Sequence, residues 1–263
     1  MGMSTRTWAR SLGFSGGLPP AIKGLLFANI GIFLLEYFLQ RFAPGSLLMD
    51  LLRVCALVPA DVVTRLFVWQ IVTYMFLHAG ISHILWNMLA LWMFGMELER
   101  LWGTRRFLQF YFFCGTGAGV CVVLLNYMFG DPRIPTVGSS GAIYGLLLAW
   151  AVLWPDRQIL FSFLIPIKVK YFVMIIGAIA FLNSFNAGST VSDVAHLGGM
   201  LFGYVFLKLP NTRKTQNRGR AAVNFSVTGS LRDTYKTWKL NRAKKKFEVY
   251  MRKQKSDRGP WVN

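Results

Sequence analysis

The sequence predicts an all-α polytopic membrane protein: a bundle of six transmembrane helices followed by a basic tail. Three observations carry this. The 263 residues are 54% hydrophobic yet only 15% charged, leaner in charge than the roughly 25% of an ordinary soluble domain. Six apolar runs approach the about 20 residues that a helix needs to cross a bilayer core of about 30 Å. The charge is also segregated. Residues 211–263 hold 15 of the 29 Lys/Arg and three of the 11 acids, so +12 of the net +18 lies in the last fifth.

Residues 1–20 read as a cytoplasmic N-terminal segment. Arg6 and Arg10 precede the stretch "SGGLPP", and no cleavable signal peptide is expected there. The membrane domain is expected over 21–209, with spans at 21–40, 82–98, 107–130, 138–154, 169–186 and 193–209. The second, fourth and sixth are short and contain glycine. "ILFSFLIPI" before the fifth is apolar, but Pro166, Lys168 and Lys170 argue against a clean span through it. Residues 210–263 form the basic tail. There, Leu231, Tyr235, Trp238, Phe247 and Tyr250 stand among lysines and arginines, the pattern of an amphipathic helix on an anionic leaflet. Nucleic acid is not the expected partner, since the basic residues sit beside a membrane anchor. Cys55, Cys114 and Cys121 show no metal-ligand spacing, and no metal or cofactor is expected.

Lys/Arg counts orient the bundle. With the N-terminus inside, the inner segments hold 25 of these residues and the outer segments hold four, Arg41, Arg53, Arg65 and Arg133. Both termini are therefore expected in the cytoplasm, and the chain in a cell inner membrane. Spans two, four and six then begin at the outer face. Three polar sets lie at those three ends: His83 with Asn87, Ser139 with Ser140, and His196.

Each set has two readings. In "SHILWN", His83 and Asn87 are four apart and share a helix face. They are either interhelical hydrogen-bonding glue or donors to a developing oxyanion. In "GSSGAIYG", Gly141 and Gly145 form a small-xxx-small face for close helix approach. Ser140 lies in the first turn, where free backbone N–H groups and the helix dipole favour negative charge. It is either a nucleophile or a capping residue, with Ser139 available as the cap. In "SDVAHLGGMLFGY", Ser192 or Asp193 is expected to cap the helix, and Gly199 and Gly203 repeat the small-xxx-small spacing. If the two glycine faces pack together, Ser140 and His196 come within hydrogen-bonding range, and the histidine serves as general base. Tyr144, one turn below Ser140, would lie against the His196 ring.

These residues resemble the rhomboid intramembrane serine proteases over roughly 21–209. The likeness rests on G-x-S-G at Gly138–Gly141, Tyr144, H-x-x-x-N at His83 and Asn87, A-H-x-x-G-x-x-x-G at Ala195–Gly203, and "ELERLWGTRRF" at 97–107. The resemblance implies a six-helix bundle and a Ser–His dyad with no aspartate. Ser140 is the implied nucleophile and His196 the general base. His83, Asn87 and the Ser140 backbone N–H are the implied oxyanion donors. The implied activity is endoproteolysis of transmembrane protein substrates near the outer face; the alternative is a non-proteolytic rhomboid-like binding factor. One departure stands out. Many members carry Trp-Arg in the loop after the first span, and here it is Trp69-Gln70, which questions how that loop is anchored. His78 matches a common loop histidine and is read as structural.

Overall fold

A computed structural model describes residues 17–161, 165–184 and 191–209 of the chain. The N-terminal 1–16 and the tail, with the amphipathic helix expected at 231–251, lie outside the described residues. The first helix, α1 (Pro20–Phe42), starts where Pro20 takes the first helical position and needs no N–H partner there. A long connection follows, in which the structure places two short helices that the hydropathy pattern does not show. They are α2 (Leu47–Arg53), capped by Ser46, and α3 (Pro59–Thr64), again begun by proline. A further turn, α4 (Gln70–Thr73), runs into a 3-10 turn at Tyr74–Phe76.

The second long helix is continuous from Ile81 to Trp102. Its parts are α5 (Ile81–Ala90), a π turn at Leu91–Gly95 and α6 (Met96–Trp102). The π turn shifts the backbone hydrogen-bond ladder, and the Phe94 carbonyl takes the Trp150 indole N–H at 2.8 Å. Then come α7 (Thr104–Phe129), α8 (Ser140–Leu153), α9 (Val169–Asn183) and α10 (Val191–Lys208). The expected spans match these helices to within a few residues, except that the second extends four residues further, to Trp102.

Among the described residues, two helices, α1 and α7, are individually long and apolar enough to cross a membrane. A third crossing arises if Gln70–Phe76 and Ile81–Trp102, bent by 96°, count as one span. At 1.5 Å per residue, the 14 residues of α8 reach only about 21 Å.

The all-α expectation needs one correction. "ILFSFLIPI" contributes to an antiparallel pair, β1 (Gln158–Phe161) and β2 (Ile165–Lys168), with Leu160 opposite Pro166. A ribbon of two strands has only edges, so Pro166 costs it no ladder bond that a third strand would need. Lys168 and Lys170 both reach Asp156 at the ribbon's base, at 3.2 and 2.8 Å. Arg157 pairs with Glu97 through both carboxylate oxygens and lies over the Trp150 ring at 4.7 Å.

The core lies between α7, α8 and α10, around Phe107, Phe110, Cys114, Ala118, Leu146 and Ala149, all fully buried. The start of α1 is held from a distance. Ala21 N–H and Ile22 N–H donate to the two oxygens of Glu99, each at 2.9 Å, and the Thr104 hydroxyl donates to the same carboxylate at 2.7 Å. Glu99 is 2% exposed and stands in for the side-chain cap that α1 lacks. Glu99→Ala should therefore strand two buried N–H donors and destabilise the fold by about 2–4 kcal/mol, whereas Glu99→Gln, which keeps one acceptor oxygen, should lose less. Thermal unfolding of the purified protein in detergent measures both; equal stability of all three proteins would remove this cap from the account.

Candidate active site

The connection before α8 is pinned from two sides. Leu57 and Thr136 exchange backbone hydrogen bonds at 3.0 and 2.8 Å, and Gly138 N–H donates to the Tyr74 carbonyl at 2.9 Å. Gly138 has φ +117°, which L side chains rarely adopt, and a Cβ there would lie 2.7 Å from Cε1 and Nε2 of His83. Only glycine lets this backbone pass beneath the imidazole. Ser139 occupies the capping position, but its fully buried hydroxyl makes no capping bond. The expected serine cap is thus present by position and absent by chemistry.

Ser140 opens α8, and its Oγ lies 3.0 Å from Nε2 of His196. That distance is set by how closely α8 and α10 approach. A methyl group on Gly199 would overlap the Gly141 carbonyl oxygen; one on Gly141 would lie 3.2 Å from the Ala195 carbonyl oxygen; one on Gly203 would lie 3.2 Å from Gly145 Cα. Backbones so close permit weak Cα–H···O contacts, worth about 0.5–1 kcal/mol each. The Tyr144 ring lies parallel to the His196 ring, 4.0 Å away with an interplanar angle of 1°, which fixes the plane in which Nε2 faces Ser140.

The far side of His196 holds a group that the sequence reading placed only as a candidate cap. Asp193 Oδ1 is 4.0 Å from Nδ1 of His196, three residues earlier on the same helix. Ser192 or Asp193 was expected as the cap, but α10 begins at Val191, so both stand in its first turn. The i, i+3 spacing of "SDVAH" was the available signal. At 4.0 Å this is a charge contact and not a hydrogen bond, so the carboxylate does not by itself fix which ring nitrogen of His196 carries the proton.

His83 and Asn87 face the same backbone from α5. The Ala79 N–H donates to Nδ1 of His83 at 3.3 Å, so the neutral ring carries its hydrogen on Nε2, toward Gly138. Asn87 is buried, its Nδ2 has no partner, and it lies 3.7 Å from where a Gly138 Cβ would be. Two N–H donors therefore converge two residues before Ser140. Together these groups can deprotonate a hydroxyl and hold a negative oxygen. Among the described residues no cluster of His, Cys, Asp or Glu could hold a metal ion.

Gln70, the residue that departs from the resemblance, is fully buried. Its Oε1 accepts from Val58 N–H and its Nε2 donates to the Val54 carbonyl, both at 3.0 Å. Trp69 Nε1 reaches the same carbonyl at 3.3 Å. The loop is anchored without an arginine.

A family model described as the Rhomboid domain matches residues 65–209. The chain is 35% identical over 136 residues to "Rhomboid protease GluP" of Bacillus subtilis (strain 168), covering 52% of this chain and 25% of that protein. It is 31% identical over 239 residues to "RHOMBOID-like protein 1" of Arabidopsis thaliana, covering 78% of this chain and 58% of that protein. The chain thus spans a quarter to somewhat over half the length of these relatives. It belongs to the rhomboid family.

Gly199→Ala should push α10 away from α8, lower stability by about 1–3 kcal/mol and lengthen the Ser140–His196 contact. Gly177→Ala in α9, whose added methyl meets only Met200 at 3.4 Å, is the matched control and should be nearly neutral. Thermal unfolding in detergent compares them, and equal behaviour of the two variants would refute the close approach.

Proposed function

We propose that this member of the rhomboid family is an intramembrane serine endopeptidase that cuts transmembrane substrates near the outer membrane face, with Ser140 as nucleophile and His196 as general base. The observation that carries this reading is the 3.0 Å contact between Ser140 Oγ and His196 Nε2. His196 takes the hydroxyl proton as Oγ attacks the scissile carbonyl. The resulting oxyanion accepts from His83 Nε2–H, Asn87 Nδ2–H and the Ser140 backbone N–H. His196 then gives the proton to the leaving amine, and the peptide bond breaks to leave an ester on Ser140. A water activated by the same imidazole hydrolyses that ester and restores the hydroxyl. A non-proteolytic binding role would leave this pairing without a purpose.

The proposal includes the topology. Six helices, α1, α5 to α6, α7, α8, α9 and α10, cross the bilayer, and both termini face the cytoplasm of a cell with the domain in its inner membrane. Support comes from the Lys/Arg bias, ten against four even without the tail. Residues 21–209 form the catalytic domain, 1–20 its N-terminal segment and 210–263 a tail that rests on anionic lipid. No cofactor takes part. The substrate helix unwinds locally to offer its carbonyl, so helix-destabilising residues are favoured at the cut.

A fluorophosphonate should label the protein at Ser140, and Ser140→Ala should lose both labelling and cleavage of a model transmembrane substrate while melting like the wild type. Labelling that persists in Ser140→Ala would transfer the role to another serine. His83→Ala and Asn87→Ala should each lower kcat by about 10–1000-fold with little change in KM. A rise in KM alone would make the pair structural glue.

A further inference from the structure

A second polar site lies apart from the dyad. Among the described residues, Phe33, Glu36, Tyr37, Gln40 and His78 line a recess between the later half of α1 and the turn before α5. Its volume is about 160 Å³, more than ten times the about 10–15 Å³ that one water needs. His78 is 3% exposed; its ring faces the Phe76 backbone without a well-aligned hydrogen bond, and at least one ring nitrogen is left without a partner. Glu36 Oε2 is buried and also unpartnered; its other oxygen receives only a long bond, 3.4 Å, from Gln40 Nε2. Polar groups buried in this state need a partner that satisfies them, ordered water or a ligand.

The wall chemistry defines that ligand. Glu36 supplies a carboxylate oxygen, and a buried neutral imidazole at His78 supplies a lone pair. The rings of Phe33 and Tyr37 stack 6.4 Å apart along the same stretch of α1, and aromatic faces attract cations. Carboxylate, lone pair and aromatic faces together suit a primary ammonium, which brings charge and three N–H donors. The surroundings are apolar and open outward. Leu34 and Phe38 of α1 and Ile81 and Leu85 of α5 are each more than half exposed, a bed for a hydrocarbon chain.

We infer that this recess binds a phospholipid through a primary-ammonium headgroup, with Glu36 pairing with the ammonium, His78 accepting from it, and the acyl chains lying along α1 and α5. A quaternary ammonium has no N–H for Oε2 and His78, and an anionic headgroup meets a carboxylate. His78 also lies edge-on to His83, with ring centroids 5.2 Å apart, so an occupied recess sits one ring away from the oxyanion donors. The site stands whether or not Ser140 is a nucleophile.

The test uses the full chain, delipidated in detergent and titrated with short-chain phosphatidylethanolamine, phosphatidylcholine and phosphatidylglycerol, with binding read by native mass spectrometry. Phosphatidylethanolamine should bind about ten-fold more tightly than either of the others, and Glu36→Gln should erase the preference. Glycerophosphoethanolamine, the same headgroup without chains, should bind far more weakly than the lipid. Melting without lipid checks that the variant folds; should Glu36→Gln fail to fold, His78→Phe, which removes the acceptor and keeps the bulk, carries the same expectation. Equal binding of the three lipids means a recess that holds water only and overturns the inference. So does a preference that survives the substitution, and so does glycerophosphoethanolamine binding as tightly as the lipid.

Discussion

The contact of two helix backbones, α8 against α10, is the constraint from which the candidate site follows. In lipid, helices gain little from burying apolar surface against one another, because the tails are as apolar as leucine. Closeness has to come from small side chains. Gly141 and Gly145 on one helix and Gly199 and Gly203 on the other leave carbonyl oxygens and Cα atoms facing each other. Ser140 precedes Gly141 by one residue and His196 precedes Gly199 by three, so the spacing that allows the approach also fixes the 3.0 Å pair. The Tyr144 ring fills the level below and removes the remaining rotation of the imidazole.

Elements outside this pair are tied to it by hydrogen bonds between distant parts of the chain. Glu99 fastens the start of α1 to the junction of α6 and α7. Trp150 fastens α8 to the π turn ahead of α6. Tyr74 accepts from Gly138 N–H through its carbonyl and donates its hydroxyl to the Gly115 carbonyl at 2.7 Å, so the connection ahead of Ser140 is held to α7. Each tie joins residues that hydropathy treats as unrelated.

This explains what could be read from the sequence. Helix positions followed from apolar runs, because the bilayer imposes a long, uniform pattern. The site geometry was readable to the extent that it depends on spacing: four residues between His83 and Asn87, and glycines at matched offsets from Ser140 and His196. What stayed hidden depends on contacts between distant segments or on local geometry. Nothing in the pattern around Glu99 says that both its oxygens cap another helix. The Ser139 hydroxyl looks like a cap in sequence but is turned away from that role in the fold. Pro166 was read correctly as a barrier to a span, yet its alternative, a strand opposite Leu160, depends on pairing that no single segment displays. Asp193 was visible as a capping residue, and its i, i+3 spacing to His196 was visible too; the 4.0 Å separation of the two groups is what the fold adds.

The way Gln70 holds its loop has a further consequence. An arginine in that place would carry a charge, and its hold would rest partly on forces that dissolved ions screen over about 8 Å at physiological ionic strength. Gln70 uses one neutral acceptor and one neutral donor, both buried, on the backbone at Val58 and Val54. Neither group gains or loses a proton across the biological range. The tie that Gln70 makes is therefore insensitive to electrolyte concentration and to acidity, and any such sensitivity in this loop falls to its ion pairs, Arg53 with Asp50 and Arg65 with Asp61.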